Sequence, residues 1–398
     1  MDLATRKESV ASPFWFQQPA HLAFVAKQVL VAEAELTPKP GLVDRRGSGA
    51  HKDLSLARMR QSAEAIEPFF ALMAEAARKH SVNQLLRQEL GAIGRDAETA
   101  MFAVTGGSNA HKGAIWVLGL LVAAAGQSND HNPEHLAARA GSIARIPDIA
   151  RPQLVSHGDI VQNRYGVIGA RGEATAGFPH VVQVGLPSLR DARAAGKTET
   201  ASRLSSLLSI MAMLDDTCIL YRGGLAGAER VKNGAATVLK AGGPGTRQGD
   251  AALREFDHEL LQERLSPGGS ADLLAAVLFL DCLDSVAASI VDDNSDRRRN
   301  MEQIEFHYPA ARRAVKQRAH VGVVGSGDME VIFEPSAQDG AHVSITTSVN
   351  GYRDTWKAVF DRFFSRFDGA VNIHINDAGA APGSVLLRLE QAVEVTEQ

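Results

Sequence analysis

Aromatic residues are scarce in this chain, at 6% of 398 residues. A core of ordinary size must then rest on Ala, Leu, Val and Ile, and a hydrophobic content of 45% supplies them. Cysteine is scarcer still. Cys218 and Cys282 are too few for a disulfide framework or a zinc-finger set. They read as reduced thiols buried in the core. Charge of one sign is also lacking. The 42 Lys and Arg against 46 Asp and Glu leave a net −4, which gives no basic field for nucleic acid. No apolar run is long enough for a bilayer: the longest, GAIWVLGLLVAAAG at 113–126, falls short of the roughly 20 residues that a span needs. The N-terminal MDLATRKESVASPFWFQQ has charges but no apolar run ending in a small-residue cleavage site. These absences exclude disordered, collagen-like and disulfide-stapled classes. They predict a soluble, cytoplasmic protein with neither nucleic acid nor membrane as partner.

What is present changes character along the chain. Up to about residue 292, Ala- and Leu-rich segments recur with helical spacing, at 19–34, 56–79, 111–125, 199–214 and 271–291. Leu56, Met59, Ala63, Ile66, Phe69 and Phe70 follow the i, i+3, i+4, i+7 rule. The expectation is a large all-α domain over 1–292 with Gly-rich loops. DDNSDRRRN at 292–300 is polar and aperiodic, and 293–300 reads as a linker. Beyond it, Val321, Val323 and Val324 precede GSGD, and Met329, Val331 and Phe333 follow it, as in a β-hairpin. Val343, Ile345 and Thr347 alternate, as do Val371, Ile373 and Ile375. Amphipathic helices are predicted at 352–367 and from Pro382. Residues 301–398 are therefore expected to form a small α+β domain. They hold 9 Lys and Arg against 13 Asp and Glu, so the whole net charge of −4 resides there.

Five glycine-rich strings carry the chemistry of the large domain. The first, TPKPGLVDRRGSGAHKD at 37–53, packs Lys39, Arg45, Arg46, His51 and Lys52 into a loop punctuated by Pro and Gly. Glycines let backbone N–H groups approach a ligand, and cations complement phosphates. A loop this long inside a helical domain is uncommon unless it functions. The second, TGGSNAHKG at 105–113, runs into an apolar helix, so Gly106, Gly107, His111 and Lys112 sit where orphan N–H groups and the helix dipole favour an anion. Ser108 or Asn109 would cap that helix. It is not a Walker A loop, because Gly113 follows Lys112. The third, YGVIGARGEATAGFP at 165–179, offers Arg171 and Glu173. The fourth, LDDTCILYRGG at 214–224, has adjacent Asp215 and Asp216 pointing to different helix faces, with Arg222 near a stop at Gly223. The fifth, LSPGGSAD at 265–272, has Ser270 as a helix cap. Together they indicate a polyphosphate site. His21, His80, His131, His135 and His258 read as ordinary core or surface histidines.

These strings, with the extensions TGGSNAHKGAIWVLGLL and SPGGSADLLA, resemble the triphosphoribosyl-dephospho-CoA synthase family over about residues 20–292. HVGVVGSGDMEVIFEP, TSVNGY and NIHINDAGAAPGSVLLRLEQA resemble the malonate decarboxylase acyl-carrier (delta) subunit over nearly all of 301–398. The fused carrier makes the malonate decarboxylase branch of the synthase family the better match. Gly47-Ser48 and Cys218 depart from that family's pattern, but neither removes a charged group.

The resemblance implies a fusion of the enzyme that makes a prosthetic-group precursor and the carrier that finally bears it. ATP and 3′-dephospho-CoA would react with loss of adenine. A separate holo-carrier transferase would load phosphoribosyl-dephospho-CoA onto Ser326 of the GSGD turn. The other malonate decarboxylase subunits are the implied partners. Glycosyl transfer through an oxocarbenium-like state calls for an acid, a base and cations for the triphosphate. On that basis Glu173 is the candidate base, His51 or His111 the proton donor, and Asp216 a further catalytic carboxylate. Lys39, Arg45, Arg46, Lys52, Gly106, Gly107, Lys112, Arg171, Arg222 and Ser270 would bind the substrates, and Asp44 and Asp215 would hold Mg²⁺. The alternatives are the citrate lyase version of the synthase and a non-catalytic scaffold carrying the carrier domain.

Overall fold

The computed structural model describes residues 18–128, 130–150, 156–300, 302–309, 313–322, 329–336, 340–347, 351–377, 380 and 382–397, with backbone alone for 286–300, 382 and 397. The chain divides into two compact units, Met1–Ala288 and Ser289–Gln398.

The first unit is all-helical, as its periodicity predicts. Its helices are α1 (Pro19–Glu35), α2 (Leu56–Lys79), α3 (Gln84–Thr105), α4 (Lys112–Gly126), α5 (Pro133–Arg145), α6 (His157–Tyr165) and α7 (Gly169–Thr175). After a π-helical turn at His180–Gly185 come α8 (Leu186–Ala194), α9 (Glu199–Met213), α10 (Thr217–Lys240), α11 (Arg247–Glu263) and α12 (Gly268–Asn300). The starts are chemically marked. Ser55 accepts from the N–H of Arg58 at α2, Asn83 from Leu86 at α3, and Thr246 from Gly249 at α11. α4 is buried along nearly its whole length and packs against α1, α2, α3 and α5. With few aromatics, density comes from close backbone approach. A Cβ on Gly126 of α4 would lie 2.9 Å from the Ala74 carbonyl oxygen of α2. No single helix among the described residues is long and apolar enough to cross a membrane.

Two expectations differ, the linker and the cysteines, and one at Gly223 holds. The backbone of 293–300, predicted as a linker, is helical and continues α12. The expected helix stop at Gly223 is met: α10 is two helical segments joined at a non-helical kink at Gly224 (φ 62°, ψ −159°), the second running to Lys240. Cys218 is exposed and Cys282 is intermediate in exposure, so the thiols are not the buried pair that composition suggested.

The second unit contains β1 (Glu302–Tyr308), β2 (Arg313–Ala314), β3 (Ala319–Gly322), β4 (Met329–Pro335), β5 (Ala341–Thr347), α13 (Arg353–Phe364), β6 (Gly369–Asp377) and α14 (Pro382–Glu397). The sheet order is β1-β5-β6-β4-β3, with β2 pairing the start of β6. β5 and β6 run parallel, joined through α13, while β1, β3 and β4 are antiparallel to their neighbours. Alternation buries Val343, Ile345, Val371, Ile373 and Ile375, which form one core with Phe360 and Phe363 of α13 and Leu389 of α14. The predicted hairpin is β3–β4, with Val321 opposite Val331. Its connecting residues 323–328, Ser326 among them, lie outside the described residues.

Candidate functional site

The 37–53 loop is tied down by carboxylates. Lys39 Nζ lies 2.5 Å from Glu33 Oε1 on α1, and the two residues are only 1% and 3% exposed. Asp44 accepts from the Lys39 N–H at 2.9 Å, the Arg46 N–H at 2.7 Å and Arg46 Nε at 2.9 Å. Arg46 reaches Asp257 of α11 at 2.6 Å, and Asp257 also accepts from the Gly41 N–H at 3.0 Å. Gly41 has φ 69°, and a Cβ there would meet the Leu265 carbonyl oxygen at 2.4 Å, so only glycine fits.

Several cations expected at phosphates are therefore already paired. Lys39 pairs with Glu33, Arg45 with Glu35, Arg46 with Asp44 and Asp257, and Lys112 with Glu98. Among the described residues, Lys52, Arg171 and Arg222 are exposed and have no carboxylate partner. Gly106 (φ 65°) and Gly107 (φ 85°) are exposed at the end of α3, with open space where side chains would stand.

α4, α10 and α12 begin close together. His111 occupies the N-cap position of α4 without capping it; instead, Asn109 Oδ1 accepts from the Lys112 N–H at 3.1 Å. His111 Nδ1 meets Ser62 Oγ at 2.7 Å, while its buried Nε2 has no partner. Burial and the Lys39 ammonium push its pKa down to about 3. His111 is therefore neutral, with Nδ1 engaged by Ser62, and has no imidazolium proton to give in the proton-donor role expected of it.

Asp216 is buried and caps α10, accepting from the Cys218 N–H at 2.9 Å. It also takes the Ser270 N–H at 2.8 Å, Ser270 Oγ at 3.0 Å and the Gly269 N–H at 3.3 Å. Ser270 therefore lies inside the first turn of α12 and holds Asp216, rather than capping its own helix. The adjacent Asp215 is exposed and pairs with Lys232 at 2.6 Å. Asp272 sits against the start of α4: a Cβ on Gly113 would lie 1.9 Å from its Oδ2. Desolvation, with the Glu33 and Asp216 carboxylates nearby, holds the Asp272 carboxyl well above its usual range.

Two histidines titrate in opposite directions. His51 Nε2 meets Ser266 Oγ at 2.8 Å. Burial first, then the Arg222 charge, lowers its pKa from 6.5, with Asp53 opposing. His180 is raised from 6.5, first by its hydrogen bond to Glu173 and against burial, with the Met213 backbone and Asp215 adding to the rise. Glu173 is 2% exposed, and both its oxygens face His180: Oε1 accepts from the backbone N–H at 2.9 Å and Oε2 meets Nδ1 at 2.7 Å. The backbone between them is strained. Phe178, fully buried, has φ 56°, and His180 opens the π-helical turn. Left-handed non-glycine residues cost about 1–2 kcal/mol, and π turns concentrate at functional sites. Glu173 thus acts on His180.

The carboxylates chosen for Mg²⁺ do not fit it. Asp44 is filled by Lys39 and Arg46, and Asp215 is engaged by Lys232 elsewhere. Among the described residues no group of three or more His, Cys, Asp or Glu could hold a metal.

Residues 19–290 match the family described as "CitG: ATP:dephospho-CoA triphosphoribosyl transferase". The chain belongs to the CitG family. Residues 316–396 match "Malonate decarboxylase delta subunit (MdcD)", an acyl-carrier family. A "Probable 2-(5''-triphosphoribosyl)-3'-dephosphocoenzyme-A synthase" of Stutzerimonas stutzeri is 52% identical over 270 residues, which is 67% of this chain and 93% of that protein. One from Pseudomonas putida is 50% identical over 272 residues, 68% of this chain and 97% of that protein. A chain of a solved Pseudomonas malonate decarboxylase hetero-tetramer in complex with malonate is 43% identical, covering 24% of this chain and 99% of that chain, at a TM-score of 0.23. The CitG helical unit thus has triphosphoribosyl-dephospho-CoA synthase activity and is joined to an acyl-carrier unit.

Sequence reasoning passed over His180, Asp272 and Glu33. His180 was legible as a residue seven positions after Glu173 across a Gly-Phe-Pro turn. Asp272 closes the fifth string, but its role depends on Gly113 from the second.

Proposed function

We propose that the helical unit joins ATP and 3′-dephospho-CoA into 2′-(5″-triphosphoribosyl)-3′-dephospho-CoA with release of adenine. The bond from ribose C1″ to adenine breaks, and a bond from C1″ to the acceptor 2′-oxygen forms. The proton leaving the 2′-hydroxyl is balanced by one delivered to adenine. His180 is the acid, its charged form favoured by Glu173, and His51, its charged form disfavoured by burial, is the base. This revises the roles that the resemblance implied for Glu173, His51 and His111. The carrying observation is the Glu173–His180 pair set against the lowered pKa of His51, since environments that push two titratable groups apart mark acid and base. Arg222 and Lys52 are available to the triphosphate, and Asp216 with Ser270 positions the starts of α10 and α12. The carrier unit bears the phosphoribosyl-dephospho-CoA group on Ser326, after a holo-carrier transferase displaces pyrophosphate, and works with the other malonate decarboxylase subunits.

The test is adenine release by purified protein given ATP, Mg²⁺ and 3′-dephospho-CoA. Adenine should appear only with both nucleotides present. No adenine from well-folded protein would leave the helical unit a scaffold for the carrier.

A further inference from the structure

A cluster of arginines on α3 and α7 is not used by the chemistry above. Arg87 of α3 has a side chain only 9% exposed, and its guanidinium lies over the Trp116 ring of α4, 5.2 Å from the centroid. A buried guanidinium normally has a close carboxylate. The nearest, Asp148, is 3.7 Å from Nη1 and is already held by Arg95 at 2.9 Å. Arg87 Nε is buried with no hydrogen-bond partner. Trp116 Nε1 donates to the Ala170 carbonyl at 3.2 Å, which ties α4 to α7 beside Arg171. Arg171 is exposed, unpaired among the described residues, and near enough for its charge to act on Arg87.

The charged groups acting on Arg87 are thus Arg95 and Arg171 against Asp148. Three guanidinium groups against one carboxylate leave two uncompensated positive charges. A forked, planar, partly desolvated set of this kind suits phosphate oxygens. The diphosphate diester of 3′-dephospho-CoA carries two negative charges, matching that surplus; the ATP triphosphate carries about four.

We propose that Arg87, Arg95 and Arg171, backed by Trp116, bind the diphosphate of the acceptor 3′-dephospho-CoA. This rests on the reading of the helical unit as a two-substrate synthase, and assigns the acceptor a site apart from Arg222 and Lys52. Arg171 lies two residues before Glu173, so α7 links the acceptor to the His180 pair.

Calorimetry on the full chain tests this without requiring turnover, with 3′-dephospho-CoA and ATP titrated separately. Arg171→Gln changes an exposed side chain, and Arg87→Lys keeps the charge but loses the fork. Removing a charge-assisted hydrogen bond should weaken 3′-dephospho-CoA about tenfold in each variant, with ATP within about twofold and melting of Arg171→Gln unchanged. Unchanged 3′-dephospho-CoA affinity in both variants would overturn the site, as would weakening of ATP instead, or no 3′-dephospho-CoA binding by the wild-type chain. Wild-type protein that binds 3′-dephospho-CoA through these arginines but releases no adenine would refute the synthase chemistry and uphold the site.

Discussion

Glu173→Gln removes one negative charge with almost no change in shape. In the wild-type chain both Glu173 oxygens face His180, at 2.9 Å to its N–H and 2.7 Å to Nδ1. Glutamine keeps one acceptor and turns an NH₂ toward the other donor. The ring relieves this by giving up its Nδ1 proton, which leaves His180 neutral. Hydrogen bonds to charged groups contribute about 1.5–3 kcal/mol, so the variant should be less stable by about that amount at pH 6. For a unit of this size that is a fall in melting temperature of roughly 3–12 °C. Because the folded pKa of His180 lies above 6.5, its contribution is fully present below 6.5 and is lost as pH rises through the folded value. The stability gap between wild type and variant should therefore narrow toward pH 9. Adenine release should have an alkaline limb above 6.5 from His180 and an acid limb below 6.5 from His51. The variant's alkaline limb should move down, with a loss of about 10- to 100-fold at pH 8. Melting and pH–rate profiles indistinguishable from wild type would refute the reasoning.

Asp216→Ala removes the acceptor for donors from Cys218, Gly269 and Ser270 and should cost about 3–5 kcal/mol, read as a lower denaturant midpoint at unchanged slope. Gly113→Ala sets a methyl 1.9 Å from Asp272 Oδ2 and should cost roughly 1–3 kcal/mol of stability by denaturation. Ser326→Ala should abolish the mass increase on incubation with a holo-carrier transferase while leaving adenine release at the wild-type rate.

The sequence made much of the fold legible. α2 was readable at both ends from the amphipathic stripe that starts at Leu56, and the structure adds Ser55 as its cap. The β3–β4 hairpin and strands β5 and β6 were readable because period-2 alternation places one face in the core. β1 was missed although Ile304, Phe306 and Tyr308 alternate with Glu305 and His307: the run is short, opens on polar Glu302 and Gln303, and only Ile304 is fully buried on that edge strand. The site was less legible, because pairing is a three-dimensional fact. Lys39 and Arg46 look like free cations in a Gly-rich loop, yet Glu33 lies on a preceding helix and Asp257 is far along the chain. Of three histidines given titrating roles by the resemblance or the geometry, burial keeps His111 neutral, and only the fold brings Glu173 onto His180. Family resemblance named the reaction, whereas the acid could be chosen only from the electrostatics of the folded chain.

The most direct measurement is a histidine titration by ¹H–¹³C NMR on wild type, Glu173→Gln and His180→Asn, the last serving to assign the His180 signal. The account predicts a His180 signal titrating above 6.5 that falls in Glu173→Gln, beside a His111 signal that stays neutral down to about pH 4. A His180 signal titrating at or below 6.5, unmoved by Glu173→Gln, would contradict it.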